Sequence, residues 1–192
     1  YCYMLRMEKR FPGTMEPAAH PKRVTEPFSL KKPSLIFTGS SGDMWGDWVP
    51  ADWIDSVLDT CRANSQHVFQ FLTKNPHRYG QFDIPKNCWV GTTVDGTDRT
   101  KTNIEEMVIA TNGHCGIIRF ISFEPLLAKV SPDLFGISWV IIGANSNRGA
   151  VKPPKHWADI IIQAAKDRDI PVWVKNNYGY SDKIKEMPYN PT

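Results

Sequence analysis

Polar and charged side chains recur in this chain directly after short apolar runs. Glu124 follows Ile117 to Phe123 and Lys175 follows Val172 to Val174. Thr73 and Lys74 follow Val68 to Leu72, and Asp95 follows Trp89 to Val94 with Arg99 four residues on. Asn145 comes shortly after the Trp139 to Ile142 run, Asn176 follows Lys175, and Gly39-Ser40-Ser41-Gly42-Asp43 follows Leu35 to Thr38. Carboxylates and ammonium groups can hold hydroxyls or anions and move a proton between them. In α/β folds with parallel strands such groups gather where the strands end, because the loops there converge over one mouth.

Each group also has a purely structural reading. An acid directly after an apolar strand stands at the mouth or is paired in the interior, since unpaired burial is costly. Arg119, inside the run that Glu124 follows, would supply that pairing. Asp95 and Arg99 can clasp a ribose or carboxylate, or form a local i,i+4 pair that caps a helix. Lys74 and Lys175 can hold a carboxylate or phosphate, or stand in solvent. The Ser/Gly turn can aim backbone N–H groups and Asp43 at an ammonium-bearing ligand, or be only a turn.

The stretches between these runs set the positions of the groups. Pro50-Ala51-Asp52 opens a helix carrying Trp53, Ile54, Val57, Leu58 and Cys61 near a 3.6-residue period, with Asp52 expected as the cap. A shorter helix is expected from Asn75 toward Phe82, and others over Thr102 to Ala110 and Lys155 to Asp167. Pro125 to Ile137 reads as irregular or only briefly helical, and residues 11–34, with five prolines, read as an exposed loop. Alternating strands and helices imply a parallel sheet with right-handed crossovers. A full eight-stranded barrel takes about 250 residues, and this chain has 192. The expectation is one domain over residues 1–192, a partial (βα)6-type TIM barrel open on one side. No Gly-x-Gly-x-x-Gly follows a strand, which argues against a dinucleotide fold.

Composition is that of an ordinary globular protein, with 41% hydrophobic and 22% charged residues. A net charge of +3 permits an acidic ligand without demanding one. Cys61, Cys88 and Cys115 form no zinc-type pair and are expected as buried, reduced thiols of a cytoplasmic protein. The five histidines show no metal spacing. Most tryptophans are expected in the core, while Trp45 and Trp48, in the loop beyond the Ser/Gly turn, could cover a planar ligand.

Several strings together carry a resemblance. They are Tyr1-Cys2-Tyr3-Met4, Leu72-Thr73-Lys74-Asn75-Pro76, Trp89-Val90-Gly91-Thr92-Thr93-Val94, Phe120-Ile121-Ser122-Phe123-Glu124-Pro125-Leu126-Leu127 and Trp139-Val140-Ile141-Ile142-Gly143, with Arg99. With them the chain resembles an uncharacterised phage and prophage gene-product family, similar to radical S-adenosylmethionine enzymes of the spore photoproduct lyase branch. The resemblance implies that Cys2, preceded by the aromatic Tyr1, is the last of three cysteine ligands of a [4Fe–4S] cluster. The open iron would chelate S-adenosylmethionine and one electron would release a 5′-deoxyadenosyl radical. The other two ligands would lie before Tyr1, in a segment that also carries the first strand of the barrel.

The resemblance further implies that Ser40, Ser41, Gly42 and Asp43 contact the methionyl amino group, and that Lys175 can meet the methionine carboxylate. Members of that family tend to carry Gly-Gly-Glu-Ser-Gly where this chain has Gly143-Ala144-Asn145-Ser146-Asn147, so a carboxylate is replaced by Asn145. Asn176 stands where they often carry Gln. Three functions are thus open: a radical enzyme acting on nucleic acid or a nucleotide, a cluster-free nucleotide- or phosphate-binding module, and a lyase or hydrolase using Glu124 and Lys175 as acid–base groups.

Overall fold

The computed structural model describes residues 4–188. Six strands form one sheet in sequence order, every neighbouring pair parallel. They are β1 (Leu35–Phe37), β2 (Val68–Thr73), β3 (Cys88–Thr93), β4 (Arg119–Phe123), β5 (Trp139–Ile142) and β6 (Val172–Val174). The sheet is curled into half a barrel. Each strand matches an apolar run of the sequence to within two residues. The β-branched and aromatic content of those runs suits a pleated, buried surface.

Alternation along the strands separates two faces. Phe69 and Phe71, Val90, Ile121 and Phe123, Val140 and Ile142, and Val172 and Val174 point outward into the main core. That core is closed by α3 (Ala51–Ala63), α4 (Asn103–Ala110) and α5 (Lys155–Lys166), which contribute Ile54 and Leu58, Met107, and Ile161 and Ile162. Two short helices, α1 (Met4–Arg10) and α2 (Pro21–Val24), precede the sheet. The other face is concave and carries a separate aromatic cluster of Trp89, Phe120 and Trp139.

Only three of the five crossovers contain an α-helix. The β2–β3 link is a 3-10 turn (Pro76–Gln81), and the β4–β5 link holds neither helix nor strand. Asp52 is not the cap of α3: Pro50 occupies that position and Asp52 lies in the first turn, where its charge favours the helix dipole. The outer edge of β6 is covered, since Lys185 pairs with Trp173, Val174 N donates to Ile184 O and Glu186 N donates to Val172 O. At the opposite edge Leu35 and Phe37 are each 48% exposed. Among the described residues no helix is long and apolar enough to cross a membrane.

Two expectations about loops are corrected. Trp45 does not cover a ligand: it is 0% exposed and its ring lies edge-on to Phe71, Tyr79 and Phe82. The buried Arg78 holds that loop in place by donating to Gly46 O and Val49 O. Trp48 stays exposed. Cys61 and Cys88 are buried as expected, but Cys115 is exposed, because it sits in the turn after α4 rather than in the strand that follows.

Candidate active site on the concave face

The register places the concave side chains in rows across the sheet. Gly91, Phe120 and Trp139 are side by side on β3, β4 and β5. The Phe120 ring lies where a Gly91 side chain would stand, and it packs against Trp139, which in turn meets Trp89 edge-on at 6.0 Å. These rings fill the base of the half-barrel. The next row toward the strand ends is Thr93, Ser122, Ile141 and Trp173. Continuing the register, Glu124, Gly143 and Lys175 form the rim.

At that rim Lys175 Nζ meets Glu124 Oε2 at 2.5 Å, with the Glu124 side chain 21% exposed and that of Lys175 45%. Gly143 makes the pair possible, since a Cβ there would lie 2.6 Å from Glu124 Oε1. Asn177 Nδ2 donates to Glu124 Oε1 at 3.2 Å, to Ala144 O at 2.8 Å and to Ser146 Oγ at 2.8 Å. Its Oδ1 accepts from Ala144 N. The carboxylate is thus held from two sides, with lone pairs left for a ligand. Arg119 is not its partner. It points to the helical face and donates to Thr111 Oγ1 and Thr111 O, each at 2.6 Å, and burial holds its pKa below the usual guanidinium value.

The other expected residues occupy distinct places. Asp43 is the hub of the β1 and β2 ends: it accepts from Thr73 Oγ1 at 2.7 Å, Lys74 N at 2.9 Å, Asn75 Nδ2 at 3.0 Å and Trp45 N at 3.1 Å. These are the protein's own donors, so Asp43 locks the Ser/Gly turn onto β2. Ser40, Ser41 and Gly42 are exposed beside it. Asp95 is buried and its Oδ1 accepts from Thr97 N, Thr97 Oγ1 and Thr100 Oγ1, which organises the turn into α4. Arg99 lies in that turn and is exposed. Asn145 Oδ1 accepts from Asn147 N in an Asx-type turn. Asn176 is exposed, and its neighbour Asn177 is the residue that reaches the site.

Sequence reasoning thus missed Asn177, Thr93 and Ser122. The run-end pattern marked Lys175 and Asn176, but the 3-10 turn Asn176–Tyr178 decides which amide turns inward. Thr93 and Ser122 lie inside strands, and only the alternation with Gly91 and Phe120 assigns them to the concave face.

Tyr1 and Cys2 lie outside the described residues. Of the three described cysteines none suits a cluster on the concave side. Cys61 and Cys88 are buried in the main core, where a hydrogen bond with the Cys61 side chain and then burial push the Cys88 thiol up, leaving it protonated. Cys115 lies at the opposite end of the sheet, before β4. Among the described residues no group of three or more His, Cys, Asp or Glu side chains could hold a metal ion. The rim residues Glu124, Lys175 and Asn177 suit a ligand with a carboxylate or phosphate and hydroxyls.

No curated protein and no solved structure matches the chain. A family model does match, over residues 1–188, and on that ground the chain belongs to the family described as "Protein of unknown function (DUF5131)".

Proposed function

We propose that the chain is a radical S-adenosylmethionine-type enzyme acting on nucleic acid or a nucleotide, built on a (βα)6-type relative of the TIM barrel. In this reading its family is phage-borne and the enzyme works in the cytoplasm. The observation that carries the proposal is the Glu124–Lys175 pair at the C-terminal rim of a parallel half-barrel, above a floor of Trp89, Phe120 and Trp139. Catalytic groups of barrel folds gather at that rim. The family resemblance of the whole chain supplies the chemistry.

Lys175 Nζ is the anion-binding group, meeting the methionine carboxylate or a substrate phosphate. Glu124 accepts a ribose hydroxyl or holds a proton at Oε2 when a ligand anion draws Lys175 away. Asn177 keeps the carboxylate oriented from Oε1. Asp43 fixes the Ser40–Ser41 turn against Lys74, where its backbone can face the methionyl group. Asn145 offers a neutral amide in place of a carboxylate, so proton transfer at the rim falls to Glu124. When bound, S-adenosylmethionine and the [4Fe–4S] cluster supply one-electron radical chemistry. The cluster requires Cys2 and two further cysteines before Tyr1.

A second reading, a cluster-free nucleotide- or phosphate-binding module on the same rim, is favoured by Asn145 and by the position of Cys61, Cys88 and Cys115 away from the concave face. Iron and acid-labile sulfide, measured per chain after anaerobic reconstitution of the protein with its natural upstream sequence, separate the two. About four of each supports the enzyme. A folded protein holding neither, yet binding nucleotide, supports the module.

A further inference from the structure

Thr93 and Ser122 are 5% and 3% exposed, yet neither side-chain hydroxyl takes part in any hydrogen bond among the described residues. Buried polar groups are normally paired, and an unpaired one calls for an explanation. Nor is either oxygen among the unpartnered atoms sealed from solvent. Both hydroxyls therefore open onto the concave cleft from residues that are otherwise enclosed.

Their placement is specific. Thr93 and Ser122 are direct register partners on adjacent parallel strands, about 4.8 Å apart. That spacing lets the two hydroxyls meet two neighbouring oxygens of one ligand, as in the vicinal diol of a ribose. The same row continues through Ile141 to Trp173. The indole of Trp173 is half-buried and carries Lys185 Nζ 4.9 Å from its ring centroid, which leaves it fixed but not enclosed. Lys175 is two residues beyond Trp173, just past the end of β6 and about 7 Å toward the rim. An apolar floor, two hydroxyls, an indole wall and a cation above them form a graded cleft.

We infer that this row, Thr93 and Ser122 with Trp173, binds the sugar and base of a ribonucleotide substrate whose anionic group meets Lys175. The inference rests on the rim being the ligand site proposed above, and it specifies the substrate class. The hydroxyls exchange hydrogen bonds with the 2′ and 3′ oxygens, and the base lies against Trp173 and Ile141, where stacking tolerates any base.

The test is calorimetric titration with AMP, dAMP, ribose 5-phosphate and inorganic phosphate, with saturating S-adenosylmethionine present. AMP is expected to bind and to quench tryptophan fluorescence in wild type but not in Trp173→Phe. Thr93→Val and Ser122→Ala should each weaken AMP about fivefold, the loss expected of one neutral hydrogen bond, and leave inorganic phosphate unchanged. Thr93→Ser, which keeps the hydroxyl, should bind as wild type does. In wild type dAMP should bind more weakly than AMP.

AMP binding that ignores both hydroxyl variants overturns the inference while leaving the rim as a ligand site. Displacement of AMP by S-adenosylmethionine also overturns it, because the row then belongs to that ligand. Failure of every ligand, including S-adenosylmethionine, to bind overturns the inference and the rim reading together.

Discussion

Lys175 Nζ stands 2.5 Å from Glu124 Oε2 across the ends of β6 and β4, and the strand between them passes beneath the pair as Gly143. Two residues 51 positions apart meet because the register aligns their strand ends and because the middle strand offers no side chain. The contact is exposed enough on the lysine side for water and ions to screen it. Its value lies in placement of charge more than in stability.

Charge removal at this pair should separate function from folding. Lys175→Met and Glu124→Gln are each expected to change stability by about 1 kcal/mol or less, because a half-exposed pair is screened. The melting temperature should then move by no more than about 4 °C. Lys175→Met should weaken S-adenosylmethionine or phosphate binding at least about tenfold, as expected when a charge-assisted contact is lost. Thermal melts and calorimetry on the same preparations check both parts.

Gly143→Ala should reproduce much of that loss without touching a charge. The added Cβ would fall 2.6 Å from Glu124 Oε1 and 2.7 Å from its Cδ, so the carboxylate must swing away from Lys175 and Asn177. Ligand affinity should drop toward that of Glu124→Gln. Retained wild-type affinity in the alanine variant would show that the carboxylate position does not matter.

Asp43→Ala should be the most destabilising of these changes. It strands Thr73 Oγ1, Lys74 N, Asn75 Nδ2 and Trp45 N, all donors to one carboxylate. Hydrogen bonds to a charged group contribute about 1.5–3 kcal/mol, and a loss in that range is expected in urea unfolding. Hydrogen exchange should quicken first at Lys74 and Trp45.

Alkaline unfolding should begin above pH 10. Burial, with the Asp159 charge behind it, pushes the Tyr178 hydroxyl up to about 12. A hydrogen bond to Asp159, aided by burial, pushes Tyr180 up to about 12. The unfolded chain gives up these protons near pH 10 and the folded one near 12. The stability is therefore full below pH 10 and lost as pH rises through 12. Tyr180→Phe should flatten that decline, followed by denaturant midpoint against pH.

The strands were legible because each is a short apolar run bounded by polar residues, and helices in three of the five links point to parallel crossovers. The rim was legible for the same reason at Glu124 and Lys175, since a charge after a buried strand has few places to go. Trp45 was misjudged because its loop folds back under Arg78, whose contact with Gly46 spans 32 residues and is encoded by no local pattern. Asp43 was placed near a ligand, but its partners come from the next strand end, and long-range hydrogen bonds leave no periodic signal. Asn177 rather than Asn176 faces the site because one 3-10 turn rotates the chain after β6.

The measurement that bears most directly on the account is reductive cleavage of S-adenosylmethionine by the reconstituted protein under strict anaerobiosis, read as 5′-deoxyadenosine and methionine by chromatography. The account predicts both products in equal amounts, dependent on dithionite, abolished in Cys2→Ala and much reduced in Lys175→Met. A folded, cluster-loaded protein that binds S-adenosylmethionine but releases neither product would contradict it.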